Sequence, residues 1–180
     1  MKQELQLKLC RINPEYTKFL HSIDTRISPE KELDKNKRRI FVGVVLTINH
    51  ISYFAPLSSA PNTKNNKKPF DKRFVIKITT GFDNKKTIAG IKLNNMFPVL
   101  DTVIEDIDLT KEFEEEHKYA SLLMKEMLFI NNPINQRKIK EKATKVYSKA
   151  INKKDNFEQY CCNFKLLEEY YQGFEKISVI

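Results

Sequence analysis

IFVGVVLTINHISYFAPLSS, residues 40–59, decides the fold. Its first nine residues are apolar and rich in β-branched side chains, the composition of a buried strand. Asn49-His50 follows, and Asn tolerates the positive φ of a tight hairpin turn. ISYFAPL then returns as a second strand, with Pro56 marking a strand end or edge. This hairpin nucleates an antiparallel sheet, and the flanking segments extend it. RFVIKIT (73–79) alternates apolar and polar residues, TGFDNKK supplies turn chemistry, and TIAGIKL (87–93) returns. MFPVL and TVIEDIDL continue the sheet. Between the hairpin and residue 73, residues 58–72 read as a loop dense in Asn and Lys.

Helices flank this β-rich half. Residues 11–24 predict a short helix, with Pro14 near its start and Tyr16, Phe19, Leu20 and Ile23 at helical spacing. Residues 25–39 read as a polar loop ending in cations. From Thr110, a predicted cap, a helix carries acids in its first turns and ends at Asn132-Pro133. The next helix buries Ile139, Ala143, Val146 and Ala150, and Lys138, Lys142, Lys145 and Lys149 repeat the same spacing beside them. A solvated face and a polyanion-binding face both produce such a stripe. Residues 163–174 predict a last helix ending near Gly173. The expected class is α+β, one domain over residues 1–180.

Charge and motif content narrow the function. Lys and Arg number 32 against 23 Asp and Glu, and a net charge of +9 attracts polyanions. The charged N-terminus lacks the apolar run of a secretory signal, and IFVGVVLTI is too short to cross a bilayer, so a cytoplasmic protein without membrane partners is expected. Cys10, Cys161 and Cys162 form no C-x-x-C pair, and His21, His50 and His117 are scattered, so no metal or other cofactor is expected. The acidic run 101–108 spaces its carboxylates at strand-like intervals and reads as a solvated sheet edge. The four glycines build no phosphate-cradling loop, and neither Ser58 nor Ser59 sits in G-x-S-x-G.

What remains is a hydroxyl pair among cations. That set suits RNA cleavage in which the substrate's own 2′-OH attacks, while the protein orients it and neutralises charge on the phosphate. Ser58, Ser59, Lys64, Arg38, Arg39 and Tyr16 form the candidate set.

The order of these segments resembles the ToxN/AbiQ family of type III toxin–antitoxin ribonucleases over nearly the whole chain. INPEYTKFLHSID is similar to the family's tyrosine-bearing N-terminal segment, and RRIFVGVVLTINHISYFAPLSS to its most diagnostic block. GIKLNNMFPV is similar to a later strand ending in Met-x-Pro, and KEMLFINN and CNFKLLEEYYQGF to the closing helices. The resemblance implies a compact antiparallel barrel-like core of the Kid/MazF/CcdB kind, decorated by helices. It implies a metal-independent endoribonuclease, leaving a 2′,3′-cyclic phosphate and acting in abortive phage infection. The implied partner is an RNA antitoxin, a pseudoknot cut from tandem repeats, alternating with toxin in a closed ring; cellular or phage RNA is the substrate. No protein antitoxin is implied. By this resemblance Ser58 and Ser59 contact phosphate, Arg39 lies in the active-site groove, and Tyr16 matches the N-terminal tyrosine. The family's Ser-Pro-Lys is absent; Ser59 is followed by Ala60-Pro61-Asn62-Thr63-Lys64, so Lys64 is expected to bend into the site with Lys67 in reserve. Arg38, Lys67, Lys68, Lys138, Lys142, Lys145 and Lys149 are expected to hold RNA backbone. The alternatives are a non-catalytic RNA-binding module and a Kid/MazF-like ribonuclease with a protein antitoxin.

Overall fold

The structure is a computed structural model and describes residues 7–29, 38–61, 68–81, 83 and 86–177. The hairpin is formed by β2 (Phe41–Ile48) and β3 (Ile51–Ser59). Asn49 and His50 adopt φ of 47° and 66°, the paired positive values that a type I′ turn requires. Gly43 is needed within β2: a Cβ there would lie 1.9 Å from the Phe54 ring. The β2–β3 register shifts between Gly43 and Leu46, a bulge in the ladder.

β3 organises the sheet by changing partners along its length. Up to Pro56 it pairs with β2, and Tyr53 and Phe54 also pair with β6 (Phe97–Pro98). From Leu57 to Ser59 it pairs with β5 (Lys86–Lys92), which in turn pairs with β4 (Val75–Thr80). On the other side β2 pairs with β1 (Lys8–Ile12), and β1 with β7 (Ile104–Asp106). The order is β4-β5-β3-β2-β1-β7, every pair antiparallel, with β4 and β7 at the ends of the described path. The expected sheet is therefore present, and the acidic run ends in an edge strand. There Glu105 and Asp106 are exposed and pair with Arg38 and Lys8.

Several boundaries differ from the sequence reading. β3 runs through Ser58 and Ser59, so both serines stand on a strand rather than in the loop. β1 escaped detection because the charges of Lys8 and Arg11 interrupt its apolar side chains; α1 (Pro14–Ile23) starts only after it, capped by Asn13. The acid-rich helix is two: α2 (Leu109–Glu115), capped by Asp108 rather than Thr110, and α3 (His117–Asn131), separated at the extended Glu116. α4 (Pro133–Ile151) matches, with Asn132 as its cap and Ile139, Ala143, Val146 and Ala150 buried. After the short α5 (Phe157–Tyr160), α6 (Phe164–Tyr170) ends early, and Gly173 begins α7 (Gly173–Ile177) instead of closing the helix.

The helical layer is tied to the sheet by a polar cluster. Glu168 on α6 accepts hydrogen bonds from Tyr53 of β3 (2.8 Å) and Tyr147 of α4 (2.5 Å) and pairs with Lys165 (2.8 Å). All three cysteines are buried, and burial pushes each thiol up to about 12, well away from reactive thiolate chemistry. No described helix is long and apolar enough to cross a membrane.

Candidate active site

The pairing of β3 with β5 builds the site. Ser58 lies opposite Gly90 and Leu57 opposite Ile91. Cross-strand partners share a face, so the next residue on that face of β5, Lys92, is the diagonal neighbour of Ser58. Gly90 offers no side chain between them. A cavity of about 70 Å³ opens at this point, lined by Ser28, Arg39, Ser58, Lys92 and Asn95 among others. Arg39 enters from the segment before β2, and its Nη1 donates to the Ser28 carbonyl at 3.0 Å. One hydroxyl and two cations therefore converge on a small recess, a set able to hold a phosphate and neutralise its oxygens.

Of the expected catalytic residues, the structure brings Ser58 and Arg39 together. Ser59 follows on the strand, opposite Ala89, and alternation turns its side chain to the other face. Tyr16 is a correction. It is 0% exposed, its hydroxyl donates to the Pro98 carbonyl at 2.7 Å, and its ring meets Phe174 edge-on at 5.2 Å. Burial drives its phenol pKa far up, which suits a core group and not a proton carrier. Arg38 is also placed elsewhere: its guanidinium forks onto Glu105 (2.5 and 3.0 Å) and reaches the Ile12 carbonyl at 2.7 Å. Lys64 and Lys67 lie outside the described residues. Sequence reasoning missed Lys92, because its nearness to Ser58 comes from strand register across 34 residues of chain; no spacing rule reveals it.

The Asn/Lys loop returns to the same face. Phe70 packs over Gly90, where a Cβ would sit 2.7 Å from its ring, so the loop's end is anchored beside the Ser58 row. In that row Lys77 of β4 lies opposite Gly90 on its other side. Lys77 also lines a groove of about 860 Å³ between β4 and α4. Seven cations (Lys72, Arg73, Lys77, Lys138, Lys142, Lys145 and Lys149) border it against two carboxylates, Glu141 and Asp155, so the field favours an anion. A second groove of about 680 Å³ shares Ile76, Lys77 and Lys138 with it and continues it past Leu128 and Ile134.

The lysine stripe of α4 divides in two. Lys138 and Lys145 are exposed, and their side chains form no hydrogen bond or ion pair among the described residues. Lys142 donates to the carbonyls of Lys72 (2.7 Å) and Val75 (3.0 Å), and burial lowers its pKa. Lys149 pairs with Asp155 and lies 5.0 Å from the centre of the Phe157 ring. Lys68 is exposed where the described chain resumes. Among the described residues no three His, Cys, Asp or Glu side chains gather as a metal site.

Comparison with known proteins fixes the kinship. A profile described as toxin ToxN of the type III toxin–antitoxin system matches residues 8–172. The chain belongs to the ToxN toxin family. It is 31% identical over 176 residues to the endoribonuclease ToxN of Bacillus thuringiensis subsp. kurstaki, covering 94% of this chain and 84% of that one. With the endoribonuclease AbiQ of Lactococcus lactis subsp. lactis it shares 31% identity over 169 residues, 91% of this chain and 87% of the other. Its fold matches the solved structure of AbiQ, a lactococcal anti-phage endoribonuclease, at a TM-score of 0.80 and 25% identity, covering 95% and 99% of the two chains. A structure from a type III system whose toxin is selectively inhibited by a non-coding RNA pseudoknot matches at 0.79 with 29% identity, covering 94% and 98%. This ToxN-family chain thus carries its cationic recess and groove on the fold those relatives share.

Proposed function

We propose that this chain is a metal-independent endoribonuclease toxin of a type III toxin–antitoxin system, inhibited by a pseudoknot RNA that it cuts from a repeat transcript. The observation that carries the reading is the convergence of Ser58, Arg39 and Lys92 on one phosphate-sized recess, in a member of a family whose relatives are named endoribonucleases. The substrate's 2′-oxygen attacks phosphorus as the bond to the 5′-oxygen breaks. The 2′-OH loses a proton, the leaving 5′-oxygen gains one, and a 2′,3′-cyclic phosphate remains. Arg39, fixed by the Ser28 carbonyl, and Lys92 neutralise the non-bridging oxygens, and the Ser58 hydroxyl orients the group. Lys77, Lys138 and Lys145 hold backbone phosphates in the groove.

The toxin works in the cytoplasm as one domain over residues 1–180, with a core akin to the Kid/MazF/CcdB barrels, and assembles with its RNA in a closed ring that defends against phage. Brief induction followed by mapping of RNA ends tests the reading. Wild type should generate ends bearing 2′,3′-cyclic phosphate, and Ser58→Ala should not. Fragments ending in 3′-OH, or unchanged RNA under wild type, would overturn it.

A further inference from the structure

At the rim of the basic groove, one arginine is built differently from the free lysines Lys138 and Lys145. Asp71 accepts from the Arg73 Nε (3.1 Å) and Nη2 (2.7 Å), so the guanidinium is forked onto a carboxylate and its charge is locally balanced. Its central carbon lies 4.7 Å from the centre of the Tyr160 ring and 4.8 Å from that of Phe74. Those two rings back the guanidinium, with 5.7 Å between them and a tilt of 34°. The Arg73 side chain is nonetheless 46% exposed, and Tyr160 is 48% exposed. A cation meant to grip phosphate would be left unpaired, as Lys138 and Lys145 are. A guanidinium held by a carboxylate and two rings presents a weakly hydrated plane instead.

Such planes are where proteins stack unpaired nucleobases. We propose that Arg73, backed by Tyr160 and Phe74 and locked by Asp71, is a stacking subsite for a splayed base of single-stranded RNA in the groove. The inference rests on the RNA-binding part of the function proposed above. Position supports it: Arg73 follows Phe70, the residue seated over Gly90 opposite Ser58, and precedes β4, whose Lys77 lines the groove. A strand leaving the Ser58 recess along this row meets groove lysines for its phosphates and the Arg73 plane for a base. A base-paired strand has no exposed base to offer, so the subsite favours single strands.

The test is binding of the full chain to a 2′-O-methyl oligoadenylate, which cannot attack its own phosphates, beside a 2′-O-methyl duplex of equal length, across a salt series. Arg73→Lys keeps the charge and loses the plane; it should weaken single-strand binding about tenfold, the effect of losing one stacked base, with the salt slope and duplex binding unchanged. Tyr160→Ala, which removes one of the two backing rings, should follow Arg73→Lys. Wild-type affinity in Arg73→Lys, or a loss shared equally by the duplex, would overturn the subsite while leaving the ribonuclease reading intact. Failure of wild type to bind either RNA would instead overturn the underlying reading and this subsite with it.

Discussion

Ser58 owes its setting to residues that are far away in sequence. Gly90 opposite it makes room for the Phe70 ring, and the same register brings Lys92 to its diagonal. Lys92→Ala should lower RNA cleavage by about 100-fold or more, the usual cost of removing one preorganised charge stabiliser, with Lys92→Arg recovering part of it. Single-turnover rates on a short RNA check this, and a Lys92→Ala rate equal to wild type would remove Lys92 from the mechanism. Gly43 illustrates the structural counterpart. With Phe54 pressed against its Cα, Gly43→Ala should destabilise the fold by about 3 kcal/mol, at the upper end of overpacking costs, visible as a lower denaturant midpoint. Ser58 and Arg39 could be named together as candidates because they sit within one contiguous block. Lys92 could not, since a strand pairing had to be known before its neighbour could be named. Tyr16 misled for the opposite reason: a tyrosine at a family position says nothing about whether its hydroxyl faces a site or the Pro98 carbonyl.

Elements show the same division between pattern and partner. The hairpin turn and the buried stripe of α4 were readable because period and turn chemistry are local properties. β1 was not, because its strand state depends on β2 and β7 supplying partners for a segment with interrupted apolarity. The basic stripe of α4 was readable as a stripe, while the roles within it depend on what each lysine meets. Lys138→Ala and Lys145→Ala should each reduce the slope of log affinity against log salt by about 0.7, as expected for one lost phosphate contact on a single strand. Lys142→Ala should instead cost about 1–3 kcal/mol of stability, because the Lys72 and Val75 carbonyls lose their donor. On α3, Glu126 is 5% exposed, and burial pushes its carboxyl up from 4.5 to about 7. A folded-state pKa above the unfolded one favours the protonated fold. That stabilisation is complete below about pH 4.5 and disappears as pH rises through about 7. Glu126→Gln should therefore gain stability relative to wild type across this window, by about 3 kcal/mol at pH 8, measured by chemical denaturation at several pH values.

On the scale of the whole molecule, the net charge of +9 and the placement of its cations separate binding from chemistry. On the proposed function the groove lysines contact phosphates remote from the reacting bond, and would act alike on bound substrate and transition state. In the proposed mechanism Arg39 and Lys92 face the phosphate whose charge grows, and would act mainly on the transition state. Salt screens the first group far more, since exposed groove cations exchange counterions with RNA, whereas a recess of about 70 Å³ admits few ions once filled. With about four phosphate contacts at ~0.7 each, raising salt from about 50 to about 200 mM should weaken RNA binding roughly 50-fold. The prediction is a split: KM for a single-stranded substrate rises by that order, while kcat under saturating RNA changes less than about threefold. Steady-state kinetics at the two salt concentrations decide it. A kcat that falls in step with the rise in KM would mean that the groove lysines also stabilise the transition state, and the recess could no longer be treated as a separate catalytic unit.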